Sequence, residues 1–507
     1  MGAGKKVIGN SIIMYVQLIL NVLIGLVTVR LLLNALGQSD YGLYDLIGGV
    51  IGLFGFITSS LAQSSMRFVS VSLGKGDDED TASVFNSCFW LHVFIAIALC
   101  LILEIIGLFI FHGFLNIEPQ RVAVAKVVFH CMVFSLFVNI NVSPLIALVS
   151  SYENFLFVAI VSIADSLLKL GIAVAVYYTM KDKLLVYGLL MVSISVVDYL
   201  LYFSYSRRKY VSVSIIRRPC FPAIKKVMGF AGWTMLDTFS SVINRQGYAI
   251  MLNRYFGTVM NSAFAVSRQL EGHVYSVSAS VVNAMKPQIM KSYGSGDQDR
   301  MFRLSLTAGK FGFYLMSLVC IPLIVMMPDV LHLWLGRVPD NTVLFARLLI
   351  LACMSEQITR GLVHANQAIG NIKWFSIIVS TMRMLALPVS WVFLHFGSPA
   401  WVAIFVFLVF ETVGSFCRII VLSKISDFCI KSFFNNVFVQ IIPPTLVTLL
   451  FCYFVYPLRS GVIWMIAIAM TSCLIYVLLA LFIGITKEEK KVLRSFGNGF
   501  LHKFNHQ

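Results

Sequence analysis

The feature that most restricts what this chain can fold into is a recurring apolar run, each repeat close to the length of a membrane crossing. The runs lie near 11 to 33, 42 to 65, 84 to 111, 123 to 148, 155 to 178 and 184 to 205, then 228 to 252, 259 to 285, 303 to 327, 342 to 367, 374 to 396 and 399 to 422, and finally 434 to 456 and 461 to 485. A hydrocarbon layer about 30 Å thick is crossed by a helix of roughly 20 apolar residues, because backbone groups inside it must satisfy one another. The pattern predicts an all-α polytopic membrane protein of fourteen transmembrane helices, grouped as six, six and two. Pro144, Glu356 and Arg360 interrupt the runs starting at 123 and 342. Composition agrees: 59% of residues are hydrophobic and 12% charged, and the mean hydropathy is +0.86, outside ordinary globular usage. Strands of a membrane barrel would alternate instead.

The two groups of six repeat one another. Shifting the chain by 220 residues places Gly257 on Gly37, Gly294 on Gly74, Gly296 on Gly76 and Asp297 on Asp77, since 257 − 37 and 294 − 74 are both 220. Ser280 then falls on Ser60 and Asn283 on Gln63. Each copy reads as a glycine turn, an apolar segment with a polar stripe, a basic end (Arg67 or Lys286) and a Gly-x-Gly-Asp loop. Parallel repeats of this size predict two six-helix bundles facing each other across a cavity.

Lysine and arginine in the short loops set orientation. With the N-terminus inside, 23 of them fall in cytoplasmic segments, Lys286 among these, and only Arg121, Lys181, Lys183, Arg254, Arg337 and Arg459 fall outside. Both termini are therefore expected in the cytoplasm. The resulting organisation is an N-terminal bundle over 1–205, a basic cytoplasmic linker over 206–226, a second bundle over 227–423, two additional helices over 424–486 and a cytoplasmic tail over 487–507. The first apolar run exceeds a signal-peptide core and is expected to remain as helix one. The net charge of +16 is explained by topology and contact with anionic lipid head groups, with no nucleic-acid partner implied. The ten cysteines form no CxxC or Cys/His cluster and read as small core residues. There is no GxxxxGK[ST] phosphate loop and no zinc-spaced or Ser/His/Asp set, so no enzyme and no cofactor are expected.

Four stretches carry a family resemblance: the first helix ending in VRLLLNALGQSDYGLYDL, the second-helix end SMRFVSVSLGKGD, its eighth-helix copy NAMKPQIMKSYGSGD, and a ninth helix leading into HLWLG. In these the chain resembles the polysaccharide transporter branch, the Wzx-type oligosaccharide flippases, of the multidrug/oligosaccharidyl-lipid/polysaccharide exporter superfamily. The resemblance implies a V-shaped pair of bundles alternating between inward-open and outward-open states in a bacterial cytoplasmic (inner) membrane. It also implies a lipid-linked oligosaccharide as substrate, with polysaccharide polymerase and glycosyltransferases as partners.

Charges inside the membrane are costly, so each marks a candidate site. In helix eight Arg268, Glu271, Tyr275 and Ser278 form one stripe, and helix two has a quieter version in Ser60, Gln63, Ser64 and Arg67. Helix seven carries Asp237 and Asn244 nearly on one face, followed by Arg245. The candidate substrate contacts are Arg245, Arg268, Arg383, Arg67, Gln63, Asn283 and Tyr275; Asp237 and Glu271 are the candidate ion-coupling carboxylates. Asp165 with Lys169 and Glu356 with Arg360 read as pairs neutralised within one helix. Arg30, Arg347 and Arg418 read as snorkelling to head groups, Lys310 and Glu411 as isolated charges, and His92 and His130 as core.

Three functions fit. The first is a flippase for a polyprenyl-diphosphate oligosaccharide, whose diphosphate a planar guanidinium fork would hold. The second is a cation-coupled multidrug antiporter using Asp237 and Glu271, beside which Arg245 and Arg268 would repel a cationic drug. The third is a membrane scaffold that transports nothing.

Overall fold

The computed structural model describes residues 3–52, 54–109, 111, 119–214, 220–335, 338–458, 461–486 and 489. Arg217 and Arg218 of the linker, Arg337 and Arg459 of the expected outer loops, and the tail from 490 onward lie outside these. Among the described residues the chain is helical and forms no strand. In order come α1 (Ala3–Gly52), α2 (Gly55–Lys75), α3 (Asp78–Phe109), α4 (Val122–Ser151), α5 (Phe155–Tyr178), α6 (Lys183–Lys209), the short α7 (Val211–Ser214), α8 (Phe221–Gly294), α9 (Gln298–Val325), α10 (Met327–Leu335), α11 (Thr342–Ile369), α12 (Lys373–His395), α13 (Ala400–Ile425), α14 (Ile430–Phe433), α15 (Val439–Val455) and α16 (Gly461–Leu479).

Two of these are pairs of helices joined at a glycine. α1 breaks at Gly37 (φ 77°, ψ 170°) and α8 at Gly257 (φ 78°, ψ −171°), the two positions that the 220-residue shift superimposes. A side chain is strained at that φ, which is why glycine recurs there. The second pair of turn glycines matches too, with φ of 75° at Gly76 and 80° at Gly296. Next to them Asp77 Oδ1 accepts from the backbone N of Glu79 and Asp80, and Asp297 Oδ1 accepts from Arg300 N, so the aspartate of each loop caps the following helix.

Eleven helices among the described residues are long and apolar enough to cross a membrane. The chain after Gly37 through α2 and the two arms of α8, three of the fourteen crossings expected from the sequence, are not among them. Those three arms carry the polar stripes, which lower their hydropathy. The protein is a polytopic, all-α membrane protein.

The chain divides into two compact units. The first comprises Ile12–Met235 with Gly294–Gly296. Its cores gather inward-facing residues of α3, α4 and α6, among them Phe85, Leu103, Phe129 and Leu148, each no more than 1% exposed. The start of α8 belongs to it: Ile224, Val227 and Ala231 pack with Leu61, Cys88 and Leu91. At one end Arg121 bonds both Asp40 and Asp182, tying three chain segments together. Burial alone would lower the Arg121 pKa, but the hydrogen bond to Asp182 and the two carboxylate charges outweigh it and raise it above its ordinary value. His92 is fully buried as expected; His130 is not core, because its imidazole is 58% exposed and pairs with Glu104 at 2.9 Å.

The second unit comprises Leu236–Tyr293, Asp297–Gln507 and Met1–Ser11. A core built on Tyr248, Phe264, Phe345 and Phe407 joins α8, α11 and α13. The two last crossings are fastened to α9. Lys310 Nζ donates to Gln440 Oε1 at 2.7 Å and to Glu489 Oε2 at 2.6 Å. Tyr314, one turn on, donates to the backbone oxygens of Gln440 (3.1 Å) and Gly484 (2.8 Å). The Gln440 oxygen has no donor within α15, because the residue four on is Pro444, which lacks an N–H, and Gly484 lies at a helix end, where backbone oxygens are left unpaired. Lys310 is thus not the isolated charge expected from the sequence.

Candidate functional site

Four helices of the second unit bring their charges to one place. On α12, Arg383 Nε and Nη2 donate to Glu411 Oε2 and Oε1 at 3.3 and 3.2 Å, a two-pronged grip on the α13 carboxylate. Its Nη1 donates to Asp237 Oδ1 of α8 (3.1 Å) and to Ser241 Oγ (2.8 Å). Asn244, two turns along α8 from Asp237, donates to the backbone oxygen of Arg383 at 2.7 Å and holds α12 in register. Arg418, seven residues after Glu411 and so on the same face of α13, donates to Glu411 Oε1 (3.1 Å) and Glu356 Oε1 (3.4 Å). Glu356 on α11 is also paired with Arg360 at 3.2 Å and lies 3.5 Å from Arg383. The Arg360 guanidinium lies 3.9 Å from the centroid of the Tyr275 ring.

Away from solvent, charges must be matched. Here the side chains of Arg418, Glu411 and Arg383 are 2%, 7% and 10% exposed, while that of Asp237 is 42% exposed and forms the open rim. A separate pair stands on α8, where Arg268 Nη1 meets Glu271 Oε2 at 2.7 Å and the guanidinium lies 5.2 and 4.9 Å from the Phe264 and Phe407 rings. Arg268, Arg360, Arg383 and Arg418 therefore balance Asp237, Glu271, Glu356 and Glu411 one for one.

The residues singled out from sequence are distributed unevenly. Arg383 and Asp237 meet each other, Arg268 and Glu271 meet each other, and Tyr275 stacks with Arg360. Arg245 and Asn283 are exposed and join neither group. Arg67 and Gln63 belong to the first unit, where the Arg67 guanidinium lies 4.5 and 4.8 Å from the Phe68 and Phe230 rings.

Several readings change. Arg418 does not snorkel: α13 runs on beyond it to Ile425, and its side chain turns inward to two carboxylates. Arg347 donates to the Ile324 backbone oxygen near the end of α9 (2.8 Å) rather than reaching outward. The Glu356–Arg360 pair forms within α11 but is not self-contained, because Glu356 is shared with Arg383 and Arg418. Asp165 and Lys169 do pair, at 2.8 Å. Glu411 is not the isolated charge expected from the sequence, because Arg383 and Arg418 both pair with it; its spacing of seven from Arg418 is the sequence signal of that pairing.

The model of the polysaccharide biosynthesis protein family matches residues 7–292, more than half of the chain. The chain belongs to the polysaccharide biosynthesis protein family. No curated protein matches this family member. Its fold is that of transporters of the multidrug/oligosaccharidyl-lipid/polysaccharide superfamily. A mutant of the Vibrio cholerae MATE transporter VcmN superimposes with a TM-score of 0.74 at 14% identity, covering 83% of this chain and 96% of that one. A transporter of the superfamily from Pyrococcus furiosus Vc1, for which a reversed polarity of the binding pocket suggests a different function, gives 0.73 at 14% identity, covering 85% and 97%. At that identity the likeness shows the fold alone.

Proposed function

We propose that this membrane transporter is a flippase for a polyprenyl-diphosphate-linked oligosaccharide, serving surface polysaccharide (O-antigen or capsule) assembly in the cytoplasmic membrane. The observation that carries the reading is the pairing of carboxylates in the second unit. Asp237, Glu271, Glu356 and Glu411 each have an arginine within 3.2 Å. A cation-coupled drug antiporter needs a carboxylate free to alternate between ion and cationic drug, and guanidinium partners at that range oppose both. The same arginines suit an anion. An incoming diphosphate can exchange with the rim carboxylate Asp237 for Arg383, retaining a planar fork that a lysine lacks. Membership of a polysaccharide biosynthesis family supports the same substrate class.

The test is complementation of surface-polysaccharide assembly in a flippase-deficient strain at equal protein levels. Losing one partner of a desolvated charge pair costs about 2–5 kcal/mol, so Arg383→Ala should abolish export and Arg383→Lys should restore it in part. Normal export by Arg383→Ala would refute the role of this residue, and drug efflux without polysaccharide export by the wild type would refute the reading.

A further inference from the structure

A cavity of about 670 Å³ opens in the first unit where α5 gives way to α6, a size within the roughly 300–1,000 Å³ of small-molecule sites. The connection is short and held at both ends. α5 stops at Tyr178, Thr179 is extended (φ −70°, ψ 142°), and Asp182 caps α6, its Oδ1 accepting from Leu185 N at 3.1 Å. So tight a turn fixes where its side chains point.

The floor of the cavity is apolar, made by the buried Ala35 and Leu36 of α1. Its wall is ionic: Arg121, which begins α4, donates through Nη2 to Asp40, just past the Gly37 break, and through Nη1 to Asp182. Those two bonds leave other N–H groups of the guanidinium available. The lip is aromatic and basic. The Tyr177 and Tyr178 rings meet edge to face with centroids 5.3 Å apart, and Lys183 Nζ stands 5.9 Å from the Tyr177 centroid. Tyr178 lines the cavity yet is 75% exposed, so its ring offers an open apolar face.

A pyranose ring is apolar on its C–H face, which stacks on an aromatic ring, and its hydroxyls both donate and accept, so carboxylates receive from them and a guanidinium gives to them. A phosphate head group matches this wall less well, because Asp40 and Asp182 stand in it and repel an anion. We propose that this cavity is a saccharide-binding site that holds sugar rings of the oligosaccharide on the side to which it is delivered. Arg121, Lys181 and Lys183 are among the basic residues expected outside, which puts the cavity at the outer end of the first unit. The proposal rests on the flippase reading for the source of the sugar, and adds a second station to the Arg383 site of the second unit. A hold there keeps a delivered oligosaccharide beside the transporter for the enzyme that consumes it.

The reporters are full-length Thr179→Cys and Met180→Cys, each tagged and in a background lacking reactive cysteines. They are produced beside untagged wild-type protein, which delivers oligosaccharide whatever the reporter does, in a strain whose polysaccharide the wild type exports and from which the polymerase has been removed so that oligosaccharide accumulates. An impermeant thiol reagent is applied outside, to these cells and to cells that also lack the transferase starting the oligosaccharide. Labelling should be slower where oligosaccharide is present, by about five-fold at about four-fifths occupancy, following 1 + [L]/Kd. Adding Tyr178→Ala to the reporter should abolish the difference, and Tyr178→Phe should keep it, since the ring and not the hydroxyl is required. Equal labelling with and without oligosaccharide, no labelling from outside, or protection that survives Tyr178→Ala, as expected of a tyrosine that only anchors the membrane interface, each overturns the proposal and leaves the flippase reading standing. A wild type that exports no polysaccharide refutes that reading, and this proposal falls with it.

Discussion

Neutralising Glu411 and Arg418 separately and together tests whether the α11–α13 charges act as one unit. Both side chains are nearly inaccessible, and removing one partner of a buried ion pair costs about 3–5 kcal/mol. The lower end applies because each survivor keeps another partner. After Arg418→Met, Glu411 retains Arg383 at 3.2 Å; after Glu411→Gln, Arg418 retains Glu356 at 3.4 Å and Thr359 at 3.4 Å. Each single variant leaves one uncompensated buried charge and should lose about 3 kcal/mol. The double variant removes one charge of each sign, leaving Asp237 and Glu356 against Arg360 and Arg383, and so restores neutrality. Its loss should be about 3 kcal/mol rather than the additive 6, a coupling at the upper end of what contacting residues show. Thermal unfolding in detergent reads this out. At about 2 °C per kcal/mol for a large chain, each single lowers Tm by about 6 °C and the double by about the same. A double variant that loses about twice as much as either single would show that the charges act independently.

The C-terminal pair of helices gives another prediction. Lys310→Ala strands Glu489 and frees Gln440, so α15 and α16 should loosen on α9; Cys452, fully buried in the wild type, should then react with a thiol reagent several times faster, and unchanged labelling would refute the fastening role of Lys310. Orientation is tested in a background lacking reactive cysteines. Met180→Cys and Asp340→Cys should react with an impermeant reagent applied outside and Arg208→Cys should not; the reverse labelling inverts the proposed topology.

The sequence by itself determined the class of fold and its internal repeat. Hydropathy is a local property that the bilayer reads directly, so the apolar runs appear as helices, and the glycines at 37 and 257 recur because a backbone turn at positive φ excludes other side chains locally. Asp237, Glu271, Arg268 and Arg383 were likewise visible as charges misplaced in apolar runs. What the sequence left undecided was which charge answers which. Only an ion pair within one helix has a spacing to betray it, so Glu356 with Arg360 and Glu411 with Arg418 were readable, while the sharing of Glu356 with Arg418 and of both carboxylates with Arg383 depends on how α11, α12 and α13 pack. Burial was decided the same way. Arg245, expected from the sequence to reach the cavity, and Lys286, expected in a cytoplasmic segment, both lie in α8, yet packing leaves Arg245 exposed and Lys286 buried, because the distance between side chains on different helices is set by tertiary contacts that no spacing along the chain encodes.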